Sequence, residues 1–143
     1  MREDRSVLVS DELIRDGKYT KFCGGGLELG EGTRDCLVRE FKEEMNLSVK
    51  VLDHLYTTDY YQVSGFNPKH QLISIYYWVE ALEAIKVPIK TIPFDFDEAQ
   101  LNQHKQTGQA ETFRFVNWDE FGPECMSLPV DKIAASIIKE KKY

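Results

Sequence analysis

The chain has little cysteine, a deficit of positive charge and no long apolar run, and each scarcity excludes something. Its three cysteines, Cys23, Cys36 and Cys125, are odd in number and form no CxxC pair. Neither a disulfide framework nor a zinc cluster is expected, and the thiols read as free in a reducing compartment. No segment approaches the ~20 apolar residues that a membrane span needs. The opening residues MREDRSVLVSDEL mix both charges and lack an apolar centre, which argues against a signal peptide and for a cytoplasmic protein. Lysine and arginine number 18 against 24 aspartates and glutamates, a formal net charge of −6. Broad nucleic-acid binding depends on neutralising phosphates with Lys and Arg, so no stable nucleic-acid partner is expected. An anionic small substrate is compatible with the deficit only if something in the site, such as a metal ion, supplies positive charge.

What is present fits one domain over residues 1–143, long enough to bury a core without disulfides. Eight Phe, seven Tyr and two Trp are more aromatic surface than a disordered chain carries. Val7–Val9 and Tyr19–Phe22 predict two short strands joined by the turn residues Asp16-Gly17. Five of the nine glycines then fall between Gly24 and Gly32, marking a loop that turns sharply or approaches something closely. The spacing predicts a helix over Thr33–Met45, with Thr33 as N-cap, Asp35 in the first turn, and Leu37, Val38, Phe41 and Met45 on one apolar face. Asn46 suits the left-handed position after it. Strands are expected over Val49–Leu55, Gln71–Leu82 and Thr112–Val116, and an amphipathic helix over Pro129–Lys142. Residues 83–109 show no clear period and read as loop with strand fragments. The fold class is therefore α+β, an α/β/α sandwich.

On a helical projection Glu43 and Glu44 lie about 60° and 40° to either side of Glu40, so the three share an arc of roughly 100° beside the core-facing stripe. Like charges at these spacings destabilise a helix. Arg39 and Lys42 offset part of the repulsion, and a hard divalent cation would offset more, because Mg²⁺ favours oxygen ligands. Taken alone, the same face is equally a solvated charged surface.

The joint spacing of glycine, glutamate, arginine and carboxylates is more specific. Gly25 is followed after five residues by Glu31, and after seven more by Arg39-Glu40-Phe41-Lys42-Glu43-Glu44, then Met45, Asn46 and Leu47. This resembles the Nudix box, G-x5-E-x7-R-E-U-x-E-E-x-G-U, with Asn46 in place of the final glycine. The resemblance implies the Nudix fold, a mixed sheet between helices. It also raises a question about the first strand: Glu3-Asp4-Arg5-Ser6 looks like the turn that follows one, so that strand is missing or shortened. A missing strand would leave a sheet edge that pairing into a homodimer would cover.

By the same resemblance the activity is hydrolysis of a nucleoside diphosphate linked to another moiety: a nucleoside triphosphate, ADP-ribose or a nucleotide sugar. Glu40, Glu43 and Glu44, with the Gly25 carbonyl, are then ligands to Mg²⁺ or Mn²⁺. Arg39 orients the carboxylates, and Glu31 fixes the loop. The general base is Glu44 or Glu43 within the box, or Glu111, placed just before the Thr112–Val116 strand, where it reads equally as an exposed loop carboxylate. His54, His70 and His104 have no convincing partner in the sequence. Tyr56, Tyr60, Tyr61, Phe66, Tyr76 and Trp78 are candidates for base stacking or for the core. The alternative function is a Nudix-fold nucleotide sensor without efficient hydrolysis; the intact carboxylate set argues against it.

Overall fold

A computed structural model describes residues 4–141. The elements run β1 (Val7–Ile14), β2 (Gly17–Lys21), α1 (Thr33–Met45), β3 (Val49–Thr57), β4 (Ile75–Ala81), β5 (Ile89–Lys90), α2 (Glu98–Thr107), β6 (Gln109–Val116), a 3-10 turn (Pro123–Cys125) and α3 (Pro129–Glu140). Four strands form one sheet in the order β2-β1-β6-β5, mixed because β5 pairs parallel to β6 while the other pairings are antiparallel. Strands β3 and β4 form a separate antiparallel pair.

Period-two alternation in β1 places the sheet between helices. Val7 and Val9 enter a core with Val116, Phe121 and Met126 and with Ala135 and Ile138 of α3. Leu8 turns the other way, to the core built from Phe41, Met45, Leu47, Val49 and Phe113. One sheet face is thus closed by α3 and the other by α1, which gives the expected sandwich of helix, sheet and helix. Val38 is a correction to the expected apolar stripe: it is exposed, and Cys36 is buried instead. All three cysteines are free thiols.

Several boundaries differ from expectation for local reasons. Strand β4 starts at Ile75 rather than Gln71; Gln71 makes only an isolated bridge to Val63. Strand β6 starts at Gln109, so Glu111 lies inside a strand and not on a loop before it. Residues 83–109 hold a complete helix, α2, which has no buried residue and therefore no apolar period to detect. Asp4–Ser6 do turn: the Asp4 carboxylate accepts from the Ser6 N–H at 3.0 Å and the Ser6 hydroxyl at 2.5 Å. That turn leads into β1, an interior strand of the sheet. Glu3 of that segment and Lys142 of the expected terminal helix lie outside the described residues.

On the α3 side of the sheet, β1 and β6 are tied by a buried charge. Asp11 is fully buried and accepts from Arg114 Nε at 2.6 Å, Arg114 Nη2 at 3.2 Å, the Thr20 hydroxyl at 2.7 Å and the Phe94 N–H at 3.3 Å. Removing one partner of such a pair leaves the other charge uncompensated in low dielectric. Asp11→Ala is expected to lower unfolding free energy by about 3–5 kcal/mol, read from urea denaturation. A loss under about 1 kcal/mol would mean that Arg114 finds water when Asp11 is gone.

Candidate active site

The glycine loop runs straight into α1, and the helix starts without a side-chain cap. Gly32, not Thr33, is the N-cap residue, and the freed Thr33 hydroxyl bonds Tyr77 Oη at 2.7 Å. At the other end Asn46 adopts φ 47°, ψ 42°, its N–H donates to Lys42 O, and the Leu47 N–H donates to Phe41 O. The Asn46–Lys42 bond is that of an αL cap closed by a left-handed residue, and it explains why asparagine serves where the box normally carries glycine.

Arg39 is the hub of the loop-helix junction. Its Nε and Nη2 grip Glu31 at 2.9 and 2.8 Å, and Nη2 also donates to the Gly26 carbonyl at 3.0 Å. Its Nη1 donates to Glu40 at 2.9 Å and Glu43 at 3.1 Å. The planar guanidinium suits this work because its N–H groups diverge in a rigid fork. Glu31 takes a further bond from the Glu28 N–H at 2.9 Å. Those donors, Arg39 first, hold its carboxyl down at about 2. Glu31 therefore belongs to the loop's framework.

Gly25 is explained by space. A Cβ there would overlap the Glu40 carboxyl group, so only glycine lets the backbone come this near to that carboxylate.

The opposite electrostatic condition holds a short way along the same helix. The Glu44 carboxyl is raised well above the usual range, first by burial and then by repulsion from Glu111 and Glu40. Glu111 is raised to about 7, first by burial and then by repulsion from Glu12, with the Ser10 hydroxyl and Lys21 acting against the rise. The Ser10 hydroxyl donates to Glu111 Oε2 at 3.2 Å. The sheet register sets Glu12 directly across from Glu111, and Lys21 lies 3.5 Å from Glu12. Residues directly opposite share a face of the sheet, so two strands and one helix bring Glu12, Glu111, Glu40 and Glu44 within electrostatic reach of one another, with Lys21 beside Glu12 and Arg39 on Glu40 as the cations nearby.

Glu43, Glu44 and Glu111 line a cleft of about 410 Å³. Its other walls are Gln100 and Gln103 of α2, with Val87, Pro88 and Phe113. Among the described residues, no three His, Cys, Asp or Glu side chains stand close enough to hold a metal ion as placed. The donor set is nonetheless the one a hard divalent ion favours: oxygen ligands that repel one another and have too few cations between them. Glu43 and Glu44 already stand together at the cleft, and the glycine approach at Gly25 brings backbone to Glu40. The residues therefore fit such an ion.

The aromatic candidates divide. Tyr76 donates to Asp131 Oδ1 at 2.5 Å, Tyr56 stacks on Tyr76 at 6.2 Å, and Trp78 packs on the α3-side core. Tyr60, Tyr61 and Phe66 are exposed. The His54 and His70 rings hydrogen-bond near neighbours, Thr57 and Asn67, whereas the His104 ring donates to the Arg15 carbonyl at 2.6 Å. Glu12, Lys21, Gln100 and Gln103 are site-lining or site-facing residues that the sequence did not single out. For Glu12 no local signal exists, since only strand register puts it opposite Glu111. For the two glutamines the signal was Asp97 followed three residues later by Gln100, a capping box, with Gly108 at φ 82° closing the helix.

A mixed sheet between helices, with a glycine loop feeding an arginine-centred carboxylate helix, is an arrangement with the oxygen donors that a hard divalent ion favours. The model of the NUDIX domain matches residues 1–137, and the chain belongs to that family, as a Nudix pyrophosphohydrolase. Enzymes of the family generally use divalent metal ions. No curated protein matches the chain. No helix among the described residues is long and apolar enough to cross a membrane.

Proposed function

We propose that this protein, acting as one domain in the cytoplasm, hydrolyses a nucleoside diphosphate joined to another moiety by water attack at phosphorus, using Mg²⁺ or Mn²⁺. Glu40, Glu43 and Glu44, with the Gly25 carbonyl, would hold the ion. When bound, the ion neutralises diphosphate charge and acidifies water. Arg39 keeps Glu40 and Glu43 oriented through the bonds already described. Glu111 is the general base: its carboxyl, raised to about 7, is partly ionised at neutral pH and basic enough to take the proton of the attacking water. The Ser10 hydroxyl fixes the orientation of that carboxylate.

The single observation behind this reading is the meeting of Glu44 from the helix with Glu111 from the sheet at one cleft, both carboxyls held far from their ordinary range. A purely solvated acidic face would leave both near it. The test is turnover of a nucleoside triphosphate, ADP-ribose and a nucleotide sugar with Mg²⁺, products separated by anion-exchange chromatography. At least one is expected to be cleaved, with the rate rising as pH increases through about 7, where Glu111 ionises, and lost in EDTA. No cleavage of any of them would refute the proposal.

A further inference from the structure

Helix α2 is an odd element for a domain of this size: none of its residues is buried, so core packing does not explain its place. A capping box closes its start, and polar bonds tether its end to another element. At the start, Gln100 N–H donates to Asp97 Oδ1 at 2.8 Å and the Asp97 N–H donates to Gln100 Oε1 at 2.9 Å. Toward the end, the His104 ring bonds the Arg15 carbonyl at 2.6 Å, and the Arg15 N–H donates to the Gly108 carbonyl at 2.8 Å. The helix is thus pinned to the β1–β2 turn, and what it presents on its inner side is one wall of the cleft that Glu44 and Glu111 line.

The chemistry of that wall is specific. Gln100 spends its carbonyl oxygen on the capping box, leaving its NH₂ as donor. Among the described residues the Gln103 amide makes no side-chain hydrogen bond, leaving both donor and acceptor free. Val87, Pro88 and Phe113 add an apolar surface, and among the described residues neither lysine nor arginine lines the cleft. Asp97 and Glu98 stand at the start of α2, so the helix N-terminus adds no net attraction for an anion. A phosphate reaching the α2 wall would lose water without gaining a cationic side chain. Hydroxyl groups, which donate and accept, match free amides, and the C–H face of a sugar ring suits the apolar residues. The volume, about 410 Å³, is in the range of small-ligand sites.

We propose that Gln103, assisted by the Gln100 amide, reads the moiety attached to the nucleoside diphosphate, and that this moiety is an uncharged, hydroxyl-bearing group such as a sugar and not a further phosphate. The proposal rests on the hydrolase site described above and selects among its substrates.

The test compares kcat/KM with Mg²⁺ for a nucleoside diphosphate sugar and for the triphosphate of the same nucleoside. The sugar conjugate is expected to be favoured by about tenfold or more, and Gln103→Leu to reduce that ratio about tenfold, mainly through KM. Gln106→Leu, on the same helix but outside the cleft, serves as the control and leaves the ratio unchanged. A preference for the triphosphate, or an unmoved ratio in Gln103→Leu, overturns the proposal. Glu44→Gln separates the two levels: if it silences hydrolysis while Gln103→Leu leaves the ratio intact, only the specificity proposal falls. If neither substrate is cleaved, the hydrolase reading falls. The same ratio, measured calorimetrically as binding of the methylene-bridged analogues of both substrates, then decides the role of Gln103.

Discussion

Glu44→Gln is expected to lower Mg²⁺-dependent hydrolysis by roughly a thousandfold while making the metal-free protein more stable at alkaline pH. The two effects share one cause. Glu44 is half-buried beside Glu40 and Glu111, and its carboxyl is raised chiefly by burial and then by their charge. A carboxyl raised above its unfolded value carries no penalty at acid pH, where both states are protonated. The penalty grows as pH rises from the unfolded pKa, near 4.5, through the folded one, and is complete above it. Neutral glutamine escapes the penalty and also removes a charge that raises Glu111. Allowing for solvent screening at a site open to the cleft, the gain is on the order of 1 kcal/mol above neutrality and vanishes near pH 4.5. Thermal unfolding in EDTA across pH 4.5–9 reads it directly. Mg²⁺ should stabilise the native protein more than the variant, since the ion offsets the same repulsion. A variant less stable than the native protein at pH 8.5 would show that Glu44 is held by unseen favourable contacts and not strained by its neighbours.

Gly25→Ala is expected to cost about a hundredfold in kcat/KM, the usual scale for disturbing groups that orient a metal site, with little change in folding. A Cβ at this position overlaps the Glu40 carboxyl, so Glu40 must leave its place and surrender its 2.9 Å bond to Arg39. Gly25 is exposed, and its backbone lies outside the left-handed region, so alanine adds no conformational strain of its own. Gly26→Ala is the comparison: nothing lies within 4 Å of a Cβ there, and the loss should be far smaller. Steady-state kinetics at saturating and limiting Mg²⁺, with a thermal melt of each variant, checks both expectations. Equal losses for the two variants would locate the demand in loop flexibility and not in the approach of backbone to Glu40.

The elements that could be read from the chain are those whose apolar residues repeat. Helix α1 showed itself by Leu37, Phe41 and Met45, and α3 by Val130, Ala134 and Ile138, because each buries one stripe. Helix α2 stayed hidden because it buries nothing; its stability comes from a capping box and from bonds to the β1–β2 turn, which leave no period in the sequence. Val38 misled for a related reason. Its place at the edge of the apolar arc made it look like core, whereas the helix rotates Cys36 inward beside the Gly25 and Gly26 carbonyls.

Sequence by itself determined the family and the carboxylate helix, since Gly25, Glu31, Arg39, Glu40, Glu43 and Glu44 are linked by covalent spacing and helical geometry within one local segment. Even the departure at Asn46 could be judged there, because a left-handed backbone is a property of single residues. Only the tertiary structure decided what faces that helix. Glu111 and Glu12 are distant in the chain and become neighbours through antiparallel register, where a slip of one residue in either strand would separate them onto opposite faces. Gln100 and Gln103 reach the cleft because α2 is pinned across it. Burial is likewise a tertiary quantity: the same glutamate is an ordinary acid on an open surface and a strained one where strand, helix and neighbouring carboxylates exclude water around it.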